Sequence, residues 1–416
     1  MKIHLSGICG TAMASLAGLL QARGHDVSGS DQDVYPPMST QLAELGIPVR
    51  TPYAEENVPA DADLVVIGNA LSRGNPEVEV VLDRKQRMNS LPAVLSEQFI
   101  QGNTSLVVAG THGKTTTSSL LAHVLHTAGR DPGFLIGGVP IDFARSYRLG
   151  RPGLFVVEGD EYDCAFFDKR PKFVHYAPDV AIIGNVEFDH ADIYADLAAV
   201  QTAFVRLLNV VPRRGTIVAG LDSPALREIL PRAHSAIETF GLGADAQWRA
   251  VDVQVDGQTS RFRLLHEGRD SGNFVLSIPG EHNVLNSLAA LAAATAIGVE
   301  PSAAREGLRT FRGVRRRLEM RGRARGVAVY DDFAHHPTAV RETLRALRAL
   351  GGRGRLVAVF EPRSYTSRTR VFQDAFAQAF AAADYVVVAA AHLPGKVPEA
   401  ERLSERDLVS GIRRAG

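Results

Sequence analysis

The hydrophobic pattern of the chain is one unit repeated: a short apolar run, a glycine or acidic break, then apolar residues at helical spacing. Ile3–Ser6 reads as a strand, broken at Gly7-Ile8-Cys9-Gly10. Met13, Leu16, Ala17 and Leu20 then share a helical face, and Gly24 stops the helix. Asp26–Ser28 is a second strand, ending in Gly29-Ser30-Asp31, and Leu64–Ile67 is a third, ending in Gly68-Asn69. This alternation predicts a doubly wound α/β fold with its loops gathered at the strand C-terminal ends. A second unit starts near Asn103. Its first run, Leu106–Ala109, breaks at Gly110, and Leu120, Leu121, Val124 and Leu125 continue as a helix. Leu154–Val157 delivers Glu158, and Ala181–Ile183 leads into Gly184-Asn185 and then Glu187–His190. Val251, Val253 and Val255 alternate, Asp256-Gly257 turns, and Phe262 and Leu264 alternate on the return, which predicts a hairpin. His282–Ile297 is a helix capped by Gly298. A third unit begins around Gly313, with strands at Val327–Tyr330, Leu356–Phe360 and Tyr385–Ala389 and a helix from Pro337 through Leu350. The three units are placed at residues 1–102, 103–313 and 314–416.

Composition narrows the class. The 416 residues suffice for several cores, and 45% hydrophobic with 22% charged residues is ordinary for a globular protein. The formal net charge is zero, so no nucleic-acid partner is indicated. Two cysteines, Cys9 and Cys164, make no disulfide framework and suit a reducing cytoplasm. Met1–Leu20 has some features of a signal peptide, but His4, Ser6, Gly7 and Gly10 interrupt any apolar core. The alanine-rich helix near Val284–Val299 is too short to span a bilayer, so no membrane insertion is expected.

The chemistry concentrates at strand ends. Gly110-Thr111-His112-Gly113-Lys114-Thr115-Thr116 follows a strand and opens a helix. Inward-pointing N–H groups, the helix N-terminus and the lysine make this a phosphate cradle, and Thr115 can place its hydroxyl on a magnesium ion. The full phosphate-loop pattern wants a glycine where Val108 stands, so a plain Gly-Lys turn is the alternative. Glu158 stands where a magnesium-holding acid belongs. Asp160, Glu161 and Asp163 crowd the same turn, a repulsion that a cation or arginine would offset. His190 is either a surface residue or a ligand across the same sheet edge. Asn283 and Asn286 share a helix face and suit either capping or recognition of a base or ribose. Asp331, Asp332, His335 and His336 form a polar cluster that lacks a third soft metal ligand. The Gly7–Gly10 loop lacks the Gly-x-Gly pair of dinucleotide folds. It suits a pyrophosphate, or is a tight turn, and Cys9 within it is a packing residue or a reactive thiol. Arg312–Arg325 reads as solvated linker charge.

Taken in order, GTHGKTT at Gly110–Thr116, Glu158, Asn185–His190, HNxxN at His282–Asn286, Arg316-Arg317 and DDFAHHP at Asp331–Pro337 resemble the Mur ligase family. The resemblance implies a UDP-sugar-binding Rossmann-like domain, a central P-loop ATPase domain and a Rossmann-like C-terminal domain. It implies activation of a carboxylate by ATP, with Mg2+, and its joining to an amine. HLSGICGTAMASLAGLL, VVEGDEYDCAFFDKRPKFVHY and FEPRSYTSR are similar to members that attach L-alanyl-γ-D-glutamyl-meso-diaminopimelate to UDP-N-acetylmuramate. Members that attach L-alanine usually read GIGG and EADESD and lack the insertion represented by Phe166–Tyr176. By motif, Lys114 and Gly110–Thr116 should hold ATP phosphates, and Thr115, Glu158 and His190 the magnesium. Asn283, Asn286, Arg317 and Asp331 should face the nucleotide. Gly7, Ile8, Cys9, Gly10, Thr11, Ala12, Met13, Ser30, Asp31, Asn69 and Ser72 should meet the UDP-sugar. His335 and Arg363 should line the site from the third domain, Arg363 toward the acceptor, and His190 or His335 should act as base. Two departures stand out. The Tyr-Thr of FEPRSYTSRTR is as in the alanine-adding members. The chain stops at Gly416, where the family normally continues, so an open sheet edge is expected in the third domain. Lys169 and Lys172 lie near the site, but no motif marks either for carbamylation. The rival readings are a nicotinamide-dependent oxidoreductase and a non-catalytic nucleotide sensor.

Overall fold

The computed structural model describes residues 1–350, 354–392 and 397–415. The first unit runs β1 (Lys2–Ser6), α1 (Thr11–Ala22), β2 (Asp26–Ser30), α2 (Met38–Glu44), β3 (Val49–Arg50), β4 (Leu64–Ile67), α3 (Pro76–Asp83), β5 (Met88–Ser90) and α4 (Leu91–Leu95). Its five strands are all parallel, in the order β3-β2-β1-β4-β5. The order reverses beside β1, so the loop after β1 opens into the crevice where doubly wound sheets bind ligands.

The central unit runs β6 (Thr104–Ala109), α5 (Lys114–Thr127), β7 (Gly133–Leu135), β8 (Tyr147–Arg148), β9 (Leu154–Gly159), β10 (Asp163–Ala165), β11 (Asp168–Pro171), β12 (Val180–Ile183), α6 (Leu197–Val210), β13 (Thr216–Gly220), α7 (Pro224–Ile229), β14 (Ala236–Gly241), β15 (Trp248–Asp256), β16 (Thr259–His266), β17 (Arg269–Leu276), α8 (Glu281–Ala296) and α9 (Pro301–Thr310). Ten strands form one sheet, ordered β17-β16-β15-β14-β13-β12-β6-β9-β7-β8. β6 lies inside it, buried on both faces. Leu106 and Val108 pack toward α5 and α8, while Val107 and Ala109 pack on the other face with α6. That is why the run reads as uninterrupted apolar sequence rather than alternation. The first unit is fastened to this sheet by a shared core. Gly18 of α1 lies so close to Tyr147 that a Cβ would sit 2.2 Å from the ring Cζ, and Ser15 and Ser146 share a 2.7 Å hydrogen bond.

The third unit holds β18 (Glu319–Ala324), β19 (Val327–Asp331), α10 (Pro337–Ala349), β20 (Val357–Phe360), α11 (Gln373–Ala379), β21 (Tyr385–Val388) and α12 (Glu405–Ala415). Among the described residues, β18 pairs antiparallel with β19, and β20 pairs parallel with β21. Ala358 and Phe360 pack with Phe376, Phe380 and Leu408. On the other face Val357, Val359, Tyr385 and Val387 are exposed. The expectation tied to Gly416 lies outside the described residues.

Several strands escape the sequence pattern, β13, β14, β17 and β18 among them. β17 interrupts its alternation with Asp270, Gly272 and Asn273. β18, Glu-Met-Arg-Gly-Arg-Ala, has no apolar alternation because it is an exposed strand of a two-stranded ribbon. Part of the stretch read as linker charge is therefore strand. Among the described residues, no helix is long and apolar enough to cross a membrane.

Candidate functional site

β6 ends at Ala109, and the loop that follows is glycine where the backbone demands it. Gly110 has φ +129, and a Cβ there would lie 3.1 Å from the backbone of Asn185. Gly113 has φ +81, and its Cβ would meet Asn286 Oδ1 at 2.6 Å. Asn185 fixes the loop from the neighbouring strand end. Its side-chain oxygen accepts from the His112 N–H (2.8 Å) and its carbonyl accepts from the Thr111 N–H (3.1 Å). α5 then starts at Lys114, so the ammonium and the helix N-terminus share one hollow.

The acids around Lys114 divide the work. Lys114 Nζ donates to the Gly110 carbonyl (2.8 Å) and to Glu161 Oε2 (2.9 Å). Burial disfavours its charge, but Glu161 and Asp160 outweigh burial and raise its pKa. Glu161 is buried between Lys114 and His190, whose Nε2 lies 2.9 Å from Oε1. Burial pushes the Glu161 carboxyl up, yet these two partners hold it down at about 2. Glu158 differs. Burial first, and Asp160 next, push its carboxyl up to about 7, although the Gly137 N–H donates to it at 2.6 Å. Thr115 Oγ1 donates to its other oxygen at 3.2 Å, and Arg317 reaches Thr115 Oγ1 at 3.4 Å. The expected crowding of acids is relieved by pairing: Asp160 with Lys172 (3.2 Å) and Asp163 with Lys169 (2.5 Å). A carbamate on either lysine would put a second negative charge against those carboxylates.

His190 stands in the left-handed region at φ 55, and its pKa is raised: burial lowers it, but the bond and charge of Glu161 prevail. Its Nδ1 is buried without a hydrogen-bond partner. A ring nitrogen bonded to a carboxylate, with the other left over, is the arrangement of a metal-ligating histidine. Glu158 and the Thr115 hydroxyl, 3.2 Å apart, offer the oxygen donors that a hard divalent cation takes, and His190 Nδ1 is a spare nitrogen donor.

Beside the loop opens a cavity of about 950 Å³, nucleotide-sized, lined by the loop, the ends of β12 and β13, α8 and α10. His112, Gly113, Thr115 and Thr116 line it with Asn283, Asn286 and Arg317. The asparagines are also committed structurally. Asn283 donates to the Pro279 carbonyl (2.7 Å), Asn286 donates to Asn283 Oδ1 (3.1 Å), and Thr117 donates to Asn286 Oδ1 (3.1 Å). The third unit contributes differently from expectation. Asp331 pairs with Arg316 (3.6 Å), and it is Asp332 that lines the cavity, accepting from the Leu318 and Ala334 N–H groups at 2.7 Å each. Asp331 is the last residue of β19, so its neighbour turns the other way. His335 lies off the cavity lining, its Nδ1 bonded to the Phe333 carbonyl (2.9 Å), and burial lowers its pKa. His336 instead meets the phosphate loop, its ring 4.3 Å from that of His112. Arg363, just past β20, is exposed, 4.0 Å from Glu361, and does not line the cavity.

The loop after β1 carries no cation. Gly7 (φ +87) and Ile8 give their N–H groups to the Ser30 carbonyl at 2.8 and 3.1 Å, and the Ile8 side chain is core. The Cys9 N–H donates to Asp31 Oδ2 (2.8 Å), and Tyr53 donates to Oδ1 (3.1 Å). Burial, with Asp31, pushes the Cys9 thiol up to about 11, which favours the packing role over the reactive thiol. Gly10 and Thr11 are exposed at the start of α1, Ala12 is half-buried and Met13 is core. Asn69 and Ser72 are exposed beyond β4. The Ser30 hydroxyl is buried and spent on Glu77 (2.5 Å) and His4 (3.3 Å). Glu77 itself is fully buried and also accepts from Ser6 (2.6 Å) and Asn57 (3.0 Å). Burial pushes its carboxyl up, but His4, 3.8 Å away, and then Ser30, Ser6 and Asn57 bring it to about 2. Following Asn75-Pro76, Glu77 looks in the sequence like any acid in a first helical turn. Glu161, Glu187 and Tyr53 were likewise invisible as site residues.

Known proteins match this chain throughout. "Mur ligase family, catalytic domain" matches residues 2–101, "Mur ligase middle domain" 108–294, and "Mur ligase, glutamate ligase domain" 316–413. The UDP-N-acetylmuramate–L-alanyl-γ-D-glutamyl-meso-2,6-diaminoheptandioate ligase of Escherichia coli (strain K12) is 46% identical over 401 residues, 96% of this chain and 87% of that protein. A UDP-N-acetylmuramate–L-alanine ligase of Solibacter usitatus is 38% identical over 413 residues, 97% and 84% of the two chains. Among solved structures, a murein peptide ligase from Psychrobacter arcticus shares 41% identity at a TM-score of 0.77, covering 93% of this chain and 84% of its own. The UDP-N-acetylmuramate–alanine ligase of Thermotoga maritima superposes at 0.82 with 26% identity, covering 100% and 89%.

Proposed function

The chain belongs to the Mur ligase family, and we propose that it joins UDP-N-acetylmuramate to L-alanyl-γ-D-glutamyl-meso-diaminopimelate in an ATP-dependent reaction. The observation that carries the acceptor is the 46% identity to a tripeptide ligase, against 38% to the alanine ligase. The overall shape does not discriminate, since an alanine ligase superposes at 0.82. Family membership leaves no place for the oxidoreductase and sensor readings. The site of action is the cytoplasm, in the recycling of cell-wall peptides, with consequences for cell shape and division.

The chemistry is acyl activation. The muramoyl carboxylate attacks the γ-phosphorus, ADP leaves, and the peptide amine displaces phosphate from the acyl phosphate. Lys114, anchored by Glu161 and released from the loop carbonyls, faces the phosphates, and Arg317 adds charge beside Thr115. Glu158, Thr115 and His190 would hold Mg2+, which neutralises charge on the phosphates when bound. Glu161 keeps Lys114 and His190 in place. His190 and His335 are the two candidate bases: burial favours the neutral form of His335, whereas Glu161 favours the charged form of His190. The attacking amine, with a reference pKa of about 8, needs only modest help. Asp31 and the first turn of α1 receive the UDP-sugar, and Asp332 takes the cavity-facing place expected of Asp331. The test offers the enzyme UDP-N-acetylmuramate, ATP and Mg2+ with equal tripeptide and L-alanine, and weighs the products. The tripeptide adduct should dominate; a predominant alanine adduct would assign the alternative reaction.

A further inference from the structure

Three side chains that carry no step of the ligase chemistry above, two of them from the rim of the nucleotide cavity, converge where the third unit meets the phosphate loop. His112 comes from the loop itself, Glu187 from the segment after β12, and His336 from the N-terminus of α10. One ligand atom from each lies within 4.8 Å of the other two. Glu187 Oε2 is the hub, 3.4 Å from His112 Nε2 and 3.8 Å from His336 Nδ1. We propose that His112 Nε2, Glu187 Oε2 and His336 Nδ1 form a binding site for a divalent transition metal, Zn2+ by donor chemistry, distinct from the cation site at Glu158.

The protonation pattern supports it. His336 Nε2 lies 3.1 Å from the Phe188 carbonyl, which can only accept, so the proton sits on Nε2 and Nδ1 offers a lone pair. A backbone carbonyl holding the far nitrogen is how ligating histidines are oriented. Burial pushes the His336 pKa down to about 4, and Glu187 is held at about 2 by His112 and Thr338 against its own burial, so the neutral imidazole and the carboxylate coexist at neutral pH. The Thr338 hydroxyl donates to Glu187 Oε2 at 2.7 Å and fixes it. His112 Nε2 is buried with no hydrogen-bond partner. Tetrahedral ligands about 2.0–2.1 Å from zinc stand roughly 3.3 Å apart, so the observed 3.4 and 3.8 Å separations need little closing. The long bond from the Thr338 N–H to His336 Nδ1, at 3.3 Å, is what the ion would displace. Two nitrogens and one oxygen leave a fourth position open, and an occupied site would tie α10 to the phosphate loop.

Full-length enzyme in excess Mg2+ is titrated with Zn2+ by calorimetry and with Co2+ by visible absorption. One equivalent should bind, with the intense Co2+ bands of a low-coordinate nitrogen-containing site. His336→Ala and Glu187→Gln should each weaken Zn2+ at least 30-fold, and Glu158→Gln should leave it unchanged. Undiminished UDP-N-acetylmuramate binding in each variant certifies the fold. Unchanged Zn2+ affinity in both His336→Ala and Glu187→Gln would overturn the proposal. So would loss of binding in Glu158→Gln, which would put the ion in the other site, or weak binding without Co2+ bands.

Discussion

The loops after β1 and after β6 use one backbone device for two different tasks. Each places a glycine at positive φ directly after a buried strand, Gly7 at +87 and Gly110 at +129, and each leads into a helix N-terminus. Behind the first stand Asp31 and the buried Glu77; behind the second stand Lys114, Glu158, Glu161 and His190. The loop N–H groups are spent on Ser30, Asp31 and Asn185, and the first-turn N–H groups of each helix suffice to hold a phosphate. Moving a phosphoryl group also needs charge that can be neutralised as it shifts, hence a lysine and a carboxylate set on the second loop only. The shared geometry says where anions dock, and the side chains behind it say which one reacts.

The comparison breaks most visibly at Glu158. Glu158→Gln keeps the size of the side chain but removes the carboxylate that would hold the cation, and ADP formation should fall by about 10³-fold. UDP-N-acetylmuramate affinity, measured calorimetrically, should not move.

Next in size is Glu77, which holds up the first loop without touching a phosphate. Its carboxyl titrates at about 2 rather than the ordinary 4.5, a stabilisation of about 3 kcal/mol. A depressed acid contributes fully above its unfolded pKa and loses the contribution as pH falls toward its folded one. Glu77→Gln should therefore unfold at lower temperature than the wild type at pH 7, and the gap should close between about pH 4.5 and 2. A gap independent of pH would deny the carboxylate its role.

The smallest effect sharpens the contrast. Asp31→Asn weakens the bond from the Cys9 N–H, and UDP-N-acetylmuramate should bind about tenfold more weakly, with little change in kcat at saturation. A fall in kcat without a change in affinity would place Asp31 in the chemistry instead.

What the sequence disclosed follows the same division. The position of the phosphate loop, that of Glu158 and the strands β1, β4, β6, β9 and β12 were legible because backbone geometry and continuous burial leave local signatures: Gly110, Gly113 and the run Leu106–Ala109. Glu161 and Glu77 were not, because their partners lie far along the chain, His190 for one and His4, Ser6 and Asn57 for the other. Asp331 was preferred to Asp332 because the pattern named the pair while the end of β19 decides which of them faces the cavity. β18 was hidden because an exposed ribbon strand needs no apolar face.

The most direct test of the two-loop account is Lys114→Ala, assayed for ADP formation and, in the same preparation, for UDP-N-acetylmuramate binding by calorimetry. The account predicts that ADP formation disappears while the sugar nucleotide binds as it does to the wild type. Full turnover, or loss of sugar-nucleotide binding in a folded variant, would contradict it.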